Sequence, residues 1–188
     1  MTDTERPKRL IRTERLTLRP FRIDDVDWIV PLANDFEISK WVAQLPYPYG
    51  RGDGFDFIRA SAEKLASGTG IRFAIVGEAP MGAIGIDGLD SGAPELGYWL
   101  GRPFWGRGYA GEAAAAMVEY AFAELRLGEV RAGHFAENSS SARVLDRCGF
   151  SYTGETDKMA CRARGVTMDC RRMTLKAEDW RRRHGQVR

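Results

Sequence analysis

Residues Pro94 to Leu125 read PELGYWLGRPFWGRGYAGEAAAAMVEYAFAEL. The run divides into an apolar strand at Leu96 to Leu100, a loop at Trp105-Gly106-Arg107-Gly108-Tyr109-Ala110, and a helix from Glu112 to Leu125. Ala113, Met117, Ala121 and Leu125 fall on one helical face, with Ala114, Val118 and Phe122 beside them. A glycine-rich turn that opens into a helix leaves backbone N–H groups unpaired and puts the positive end of the helix dipole there. Such a turn accepts a pyrophosphate without specialised side chains. Gly106 and Gly108 let the backbone approach the anion, and Arg107 adds charge.

Two families use this device. Gly106-Arg107-Gly108-Tyr109-Ala110-Gly111 spells G-x-G-x-x-G, the dinucleotide fingerprint. Its context argues against that reading. Gly101-Arg102-Pro103-Phe104-Trp105 separates the first glycine from the strand, and Glu129, at about the spacing of the expected acid, begins the next strand instead of ending it. Read instead as W-G-R-G-Y-A, the loop resembles the acyl-CoA pyrophosphate loop of the Gcn5-related N-acetyltransferases, Q/R-x-x-G-x-G/A. Gly108 and Ala110 match, and Trp105 stands where Gln or Arg is usual, as the branch resembling ribosomal-protein N-terminal acetyltransferases often tolerates. Arg12-Thr13-Glu14-Arg15-Leu16-Thr17-Leu18-Arg19-Pro20 is similar to that branch's first strand, and Glu95-Leu96-Gly97-Tyr98-Trp99-Leu100 to its fourth. Asn138-Ser139-Ser140-Ser141 with Leu145 and Gly149-Phe150 resembles its N-x-x-S…GF signature.

The 188 residues suit one domain, and 44% hydrophobic residues supply a core. No run approaches the roughly 18 apolar residues of a membrane span. The polar start Met1 to Arg6 argues against secretion and for the cytoplasm. Cys148, Cys161 and Cys170 are widely spaced, with only His134 and His184 as company, so reduced thiols are expected and no metal site. The net charge of +2 decides little. The one dense basic run, Arg181-Arg182-Arg183-His184, reads as a solvated tail; contact with nucleic acid is disfavoured because no aromatics follow Trp180.

Along the chain, residues 1–9 are expected to be loose, 10–178 to form the domain, and 179–188 a basic tail. Leu10 to Phe21 alternates as a half-buried strand. Asp24 or Asp25 can cap a helix through Trp28, Ile29 and Leu32, interrupted or restarted at Pro31, and a short helix follows near Phe36 to Val42. Phe55 to Leu65 fits a helix stopped by Gly68; Ile71 to Val76 and Met81 to Ile86 fit a hairpin. Glu129 to Glu137 is a strand, and Ser139 or Ser140 begins a helix through Ala142, Leu145 and Cys148 that Gly149 ends. Phe150 to Gly154 and Val166 to Lys176 are two strands around a polar loop at Asp157 to Gly165. The order is that of a mixed α/β sheet. The resemblance implies a single-domain fold with a mostly antiparallel sheet of about six or seven strands and about four helices.

The resemblance further implies acetyl-CoA as cosubstrate, an amine acceptor, and a monomer or homodimer. Pantetheine would run beside Tyr98, Trp99 and Leu100, one of whose backbone N–H groups would meet the oxyanion. Trp105 to Gly111, Asn138, Ser141 and Arg147 would contact CoA. Asn138 equally suits a turn or helix cap, and Ser141 an ordinary first-turn serine. Where many relatives have a tyrosine acid this chain has Leu145, so Ser141 is the candidate to meet the leaving thiolate, already a fair leaving group at a pKa of about 8.5. Thr153-Gly154 stands where some relatives carry a basic Glu; Glu95 is the substitute candidate, and His134 a second. An α-amine, with a pKa of about 7.7–8.0, suits so weak a base better than a lysine near 10.4. Trp41, Tyr47, Tyr49 and Trp99 are candidates to line the acceptor cleft, or are ordinary core aromatics. A non-catalytic acyl-CoA-binding module and a nucleic-acid-associated protein acting through its arginine tail are the alternatives.

Overall fold

Residues 10–185 are described by the computed structural model, and within them eight strands form one sheet in the order β1-β2-β3-β4-β5-β6-β8-β7. The strands are β1 (Ile11–Arg12), β2 (Thr17–Pro20), β3 (Gly70–Val76), β4 (Pro80–Asp87), β5 (Glu95–Leu100), β6 (Glu129–Phe135), β7 (Ser151–Cys161) and β8 (Val166–Lys176). The helices are α1 (Val26–Ala33), α2 (Phe36–Ser39), α3 (Arg51–Ser67), α4 (Tyr109–Ala123), α5 (Ser139–Cys148) and α6 (Ala177–His184). All neighbouring strands run antiparallel except β5 and β6.

Alternation along the central strands sorts the core. Ile71, Phe73, Ile75, Ile84, Ile86, Leu96, Leu100, Val130, Ala132, Met173 and Leu175 share one face and pack under α4. Ala113, Ala114 and Ala121 are completely buried there, so the small residues of α4 let the helix sit close to the sheet. Its larger Met117, Val118 and Phe122 are buried too, each worth roughly 1.5–3 kcal/mol relative to exposure. On the other face Ala83 and Trp99 pack with Val26, Ile29 and Ile58 of α1 and α3.

The structure has more elements than expected, for local reasons. The alternating segment 10–21 is two strands, because the Thr13 N–H bonds the Leu16 carbonyl at 2.9 Å and Thr13 Oγ1 accepts from the Leu16 N–H. Pro31 lies inside α1 without ending it. Asp25 precedes α1, but its carboxylate accepts from Arg19 and Trp28 instead of capping the helix. α2 stops at Ser39, short of Val42. The loop read at Asp157 to Gly165 is strand as far as Cys161; β7 is an edge strand exposed nearly throughout, so its residues are polar and show no buried face. The basic segment read as tail begins as helix α6, anchored by Trp180 against Phe122 at 5.5 Å. Residues 1–9 and 186–188 lie outside the described residues.

Candidate functional site

The parallel pair β5–β6 is joined at only two positions, Glu95 opposite Arg131 and Leu96 opposite Ala132. β5 pairs with β4 along its whole length, Glu95 to Leu100. Beyond Leu96 the sheet therefore forks, with Gly97 to Leu100 on one prong and Gly133 to Phe135 on the other. A fork of this kind leaves the main-chain groups of Tyr98 and the N–H of Leu100 facing a gap, where an extended molecule can pair with them, while Trp99 turns its main chain to β4.

The glycine loop closes the open end of the fork. A 3-10 turn at Arg102–Phe104 follows β5, and the Trp105 indole N–H donates to the Leu100 carbonyl at 2.8 Å, tying loop to strand. Gly106 and Gly108 have φ of 74° and 82°, left-handed values that favour glycine. Gly108 is the N-cap of α4, so Tyr109, Ala110 and Gly111 form the helix's first turn with their N–H groups free of intrahelical partners. Arg15, between β1 and β2 and given no role at the site by the sequence, buttresses this end. Its Nη1 donates to the Arg107 carbonyl at 3.0 Å, its Nε to Glu112 at 2.6 Å, and its guanidinium lies 4.7 Å from the Tyr109 ring centre. Glu112 also accepts from the Arg15 N–H and the Thr13 hydroxyl. Burial alone would raise its carboxyl pKa, but these donors and the Arg15 charge outweigh it and hold the value below the ordinary range.

On the face of the fork covered by α4 and α5, Tyr98 Oη and Ser141 Oγ share a hydrogen bond of 2.9 Å. Burial pushes the Tyr98 phenol up to about 12, so it remains a protonated donor at neutral pH. Asn138 caps α5: its Oδ1 accepts from the Ser141 N–H at 3.1 Å, which fixes Ser141 beside β5. The cap uses only the carboxamide oxygen and keeps the NH2 group for other partners. Nothing local in the sequence announces that the Tyr98 hydroxyl meets Ser141. Leu145 is buried in the core and carries no chemistry, and Arg147 is exposed on α5.

Glu95 lies on the opposite face, in line with Gly97 and Trp99. Its Oε1 accepts from Arg172 Nη1 at 2.8 Å, and Arg172 Nε donates to Asp157 at 2.6 Å. His134 is buried; its Nδ1 donates to the Phe135 carbonyl at 2.8 Å, leaving Nε2 to accept from the Tyr152 hydroxyl at 2.9 Å. The four aromatics do not assemble into one cleft. Tyr49 and Trp99 are buried together with α1 and α3, Trp41 packs near Phe135 and Met168, and Tyr47 is exposed against Phe36. The cysteines are free thiols. Burial pushes Cys148 up to about 11 and raises Cys170 as well. Among the described residues no His, Cys, Asp and Glu group is placed to hold a metal, and no helix is long and apolar enough to cross a membrane.

A forked sheet with a glycine turn and helix N-terminus at its mouth fits an acyl-CoA, an extended thioester with a pyrophosphate. Comparison with known proteins agrees. A model of the acetyltransferase (GNAT) domain matches residues 15–151. The uncharacterized N-acetyltransferase p20 of Bacillus licheniformis is 31% identical over 147 residues, covering 76% of this chain and 82% of that protein. Two solved structures share the fold. RimJ of Mycobacterium smegmatis in complex with CoA-disulfide has a TM-score of 0.79 at 21% identity, covering 87% of this chain and 83% of that one. Spermidine N-acetyltransferase from Vibrio cholerae in complex with CoA and spermine has a TM-score of 0.75 at 18% identity, covering 89% and 99%. The chain thus belongs to the Gcn5-related N-acetyltransferase family, acetyl-CoA-dependent acyltransferases.

Proposed function

We propose that the acceptor is a primary amine of low basicity, a protein N-terminal α-amine or a small-molecule amine, acetylated by direct attack in a ternary complex. The observation that carries this reading is the two-sided construction of β5. Tyr98 faces Ser141 on one side, while Gly97 is exposed on the other, with nothing within 4 Å of where its Cβ would stand. In this reading acetyl-CoA lies in the fork, its pyrophosphate at Gly106 to Gly111, and Trp105, Asn138 and Arg147 add contacts. The amine approaches from the Gly97 side, and its nitrogen forms a bond to the thioester carbon. A backbone N–H of Tyr98 or Leu100 receives the developing oxyanion. The C–S bond then breaks toward the hydroxyl pair, where Ser141 meets the thiolate. The nitrogen's proton passes to Glu95, directly or through water.

Direct attack suits the cysteines: the raised thiols of Cys148 and Cys170 are poor nucleophiles, and Cys161 is buried with its Sγ donating to the Lys40 carbonyl at 3.5 Å. Nothing favours the non-catalytic module or the arginine-tail reading. The test is thiol release from acetyl-CoA with varied amine and acetyl-CoA concentrations. Intersecting double-reciprocal lines are expected; parallel lines, with release of CoA before amine is added, would replace direct attack by an acyl-enzyme.

A further inference from the structure

On the face of the sheet opposite Tyr98, one level of five adjacent strands reads Arg72, Gly85, Gly97, Gly133, Arg172. Arg72 is opposite Gly85, Gly85 opposite Gly97, and Gly133 opposite Arg172. Gly133 stands two residues beyond Arg131, the partner of Glu95, and so is level with Gly97 across the fork. A glycine in a strand interior is destabilising relative to alanine. Three abreast mark a place where something other than a side chain approaches the backbone.

The outer two are closely covered. A Cβ on Gly85 would meet the Ile71 carbonyl oxygen at 2.5 Å and Arg72 Cγ at 2.8 Å, and one on Gly133 would meet Cys170 Sγ at 2.8 Å and Arg172 Nη1 at 3.0 Å. The side chains of Arg72 and Arg172 thus lie inward over the glycines at the two margins. The middle position, Gly97, is open and exposed. The result is a flat floor beside the fork with a guanidinium at each edge. Arg72 is engaged by Asp87 through Nε and Nη2. Arg172 spends Nε on Asp157 and Nη1 on Glu95, and a guanidinium has five N–H donors, so it retains others.

We propose that this lane seats the planar carbonyl group next to the acceptor's amine. The acceptor is then an α-amino amide, with Gly97 as its floor and Arg172 donating to its carbonyl oxygen. The inference rests on the acceptor side assigned under Proposed function and narrows it. Planarity matters because only a flat group lies close on a surface without Cβ atoms. Charge matters because Asp87, Glu95 and Asp157 each already have a cation within 4 Å, namely Arg72 and Lys64 for Asp87 and Arg172 for the other two. A polyamine finds no unpaired carboxylate there, and a neutral carbonyl needs only a donor. A carbonyl beside the amine also keeps its pKa about 2–3 units below that of lysine.

The experiment measures initial CoA release at saturating acetyl-CoA with alaninamide, trialanine amide and propylamine, in wild type, Gly97→Val and Arg172→Gln. Wild type is expected to prefer the two α-amino amides once rates are referred to the neutral amine. A preference for trialanine amide over alaninamide identifies a peptide N-terminus as the source, and the reverse a small molecule. Gly97→Val should keep its melting temperature and acetyl-CoA affinity while raising KM for both amides about tenfold or more. Arg172→Gln should lower kcat/KM for the amides about 10–100-fold, the loss of one charge-assisted hydrogen bond, and spare propylamine by comparison. An unchanged amide KM in Gly97→Val overturns the proposal. So does an equal loss with amides and propylamine in Arg172→Gln, which leaves Arg172 only as the holder of Glu95. Wild type that releases no CoA with any amine is a different failure, that of the acceptor reading beneath it.

Discussion

Replacing Gly108 by valine separates what the glycine does for the fold from what it does for the ligand. Gly108 has φ 82°, and an L-residue in the left-handed region costs about 1–2 kcal/mol, with a β-branched side chain at the upper end. Its new Cβ would also stand 3.4 Å from an Arg15 guanidinium nitrogen. Gly68, which ends α3 at φ 73° with open space around it, provides a matched control. Both valine variants should lose similar stability, about 2–8 °C in melting temperature at 2–4 °C per kcal/mol for a chain of this size. Only Gly108→Val should lose ligand. A side chain there keeps phosphate oxygens from the N–H groups of the first turn, and one or two charge-assisted hydrogen bonds are worth about 1.5–6 kcal/mol together. That predicts acetyl-CoA affinity weaker by roughly 10- to 10⁴-fold. Titration calorimetry with acetyl-CoA, alongside melting curves, reads both quantities. A Gly108→Val protein that melts like Gly68→Val yet binds acetyl-CoA as wild type does refutes the anion-site reasoning.

Ser141→Ala should lower kcat roughly 10–100-fold and leave acetyl-CoA affinity intact, because the hydroxyl meets charge only as the thiolate departs; steady-state kinetics with a binding titration check it. Glu95→Gln should cut kcat/KM by roughly 10²–10⁴ near neutral pH, with the deficit shrinking as pH rises past the acceptor's pKa; a pH–rate profile with equal activity at pH 7 would remove Glu95 as base. Glu112→Ala strands three donors from Thr13 and Arg15 and should cost about 2–3 kcal/mol, with the ion-pair share small because Arg15 is 44% exposed. Since the Glu112 pKa is lowered in the folded chain, its contribution is complete above the ordinary value of about 4.3 and fades as pH falls through the lower folded value. Urea midpoints from pH 6 to pH 3 should therefore converge between wild type and variant at the acid end.

What could be read in advance was governed by local chemistry. The turn at Gly106 and Gly108 and the helix after it follow from glycine placement and an alanine-rich helical face. The bounds of α5 follow from Asn138 and Gly149, because caps act over three or four residues. The unread parts depend on register or on partners distant in sequence. The Arg172 contacts to Glu95 and Asp157 join β5, β7 and β8, and no spacing along one strand reports them. Tyr98 reaches Ser141 only because α5 folds back over β5. An edge strand with two wet faces lacks alternation, so β7 carries no periodic signal over its full length, and α6 has Trp180 as its main apolar anchor and so little amphipathic pattern.

The fork also makes the sheet mechanically two plates. One holds the five strands β1 to β5, the other β6, β8 and β7, and the main-chain weld between them is two residue pairs, the bond from the Arg131 N–H to the Pro94 carbonyl at 2.7 Å among them. A crack of this shape concentrates load at its tip, near Leu96 and Ala132, and a molecule lying along it acts as a splint. Saturation at a hundred times Kd adds about 2.7 kcal/mol to the whole fold, and here that gain should collect at one line. Amide exchange in β5 and β6 should slow most on acetyl-CoA binding, and pulling on the empty protein should part the plates at the seam before either plate unravels.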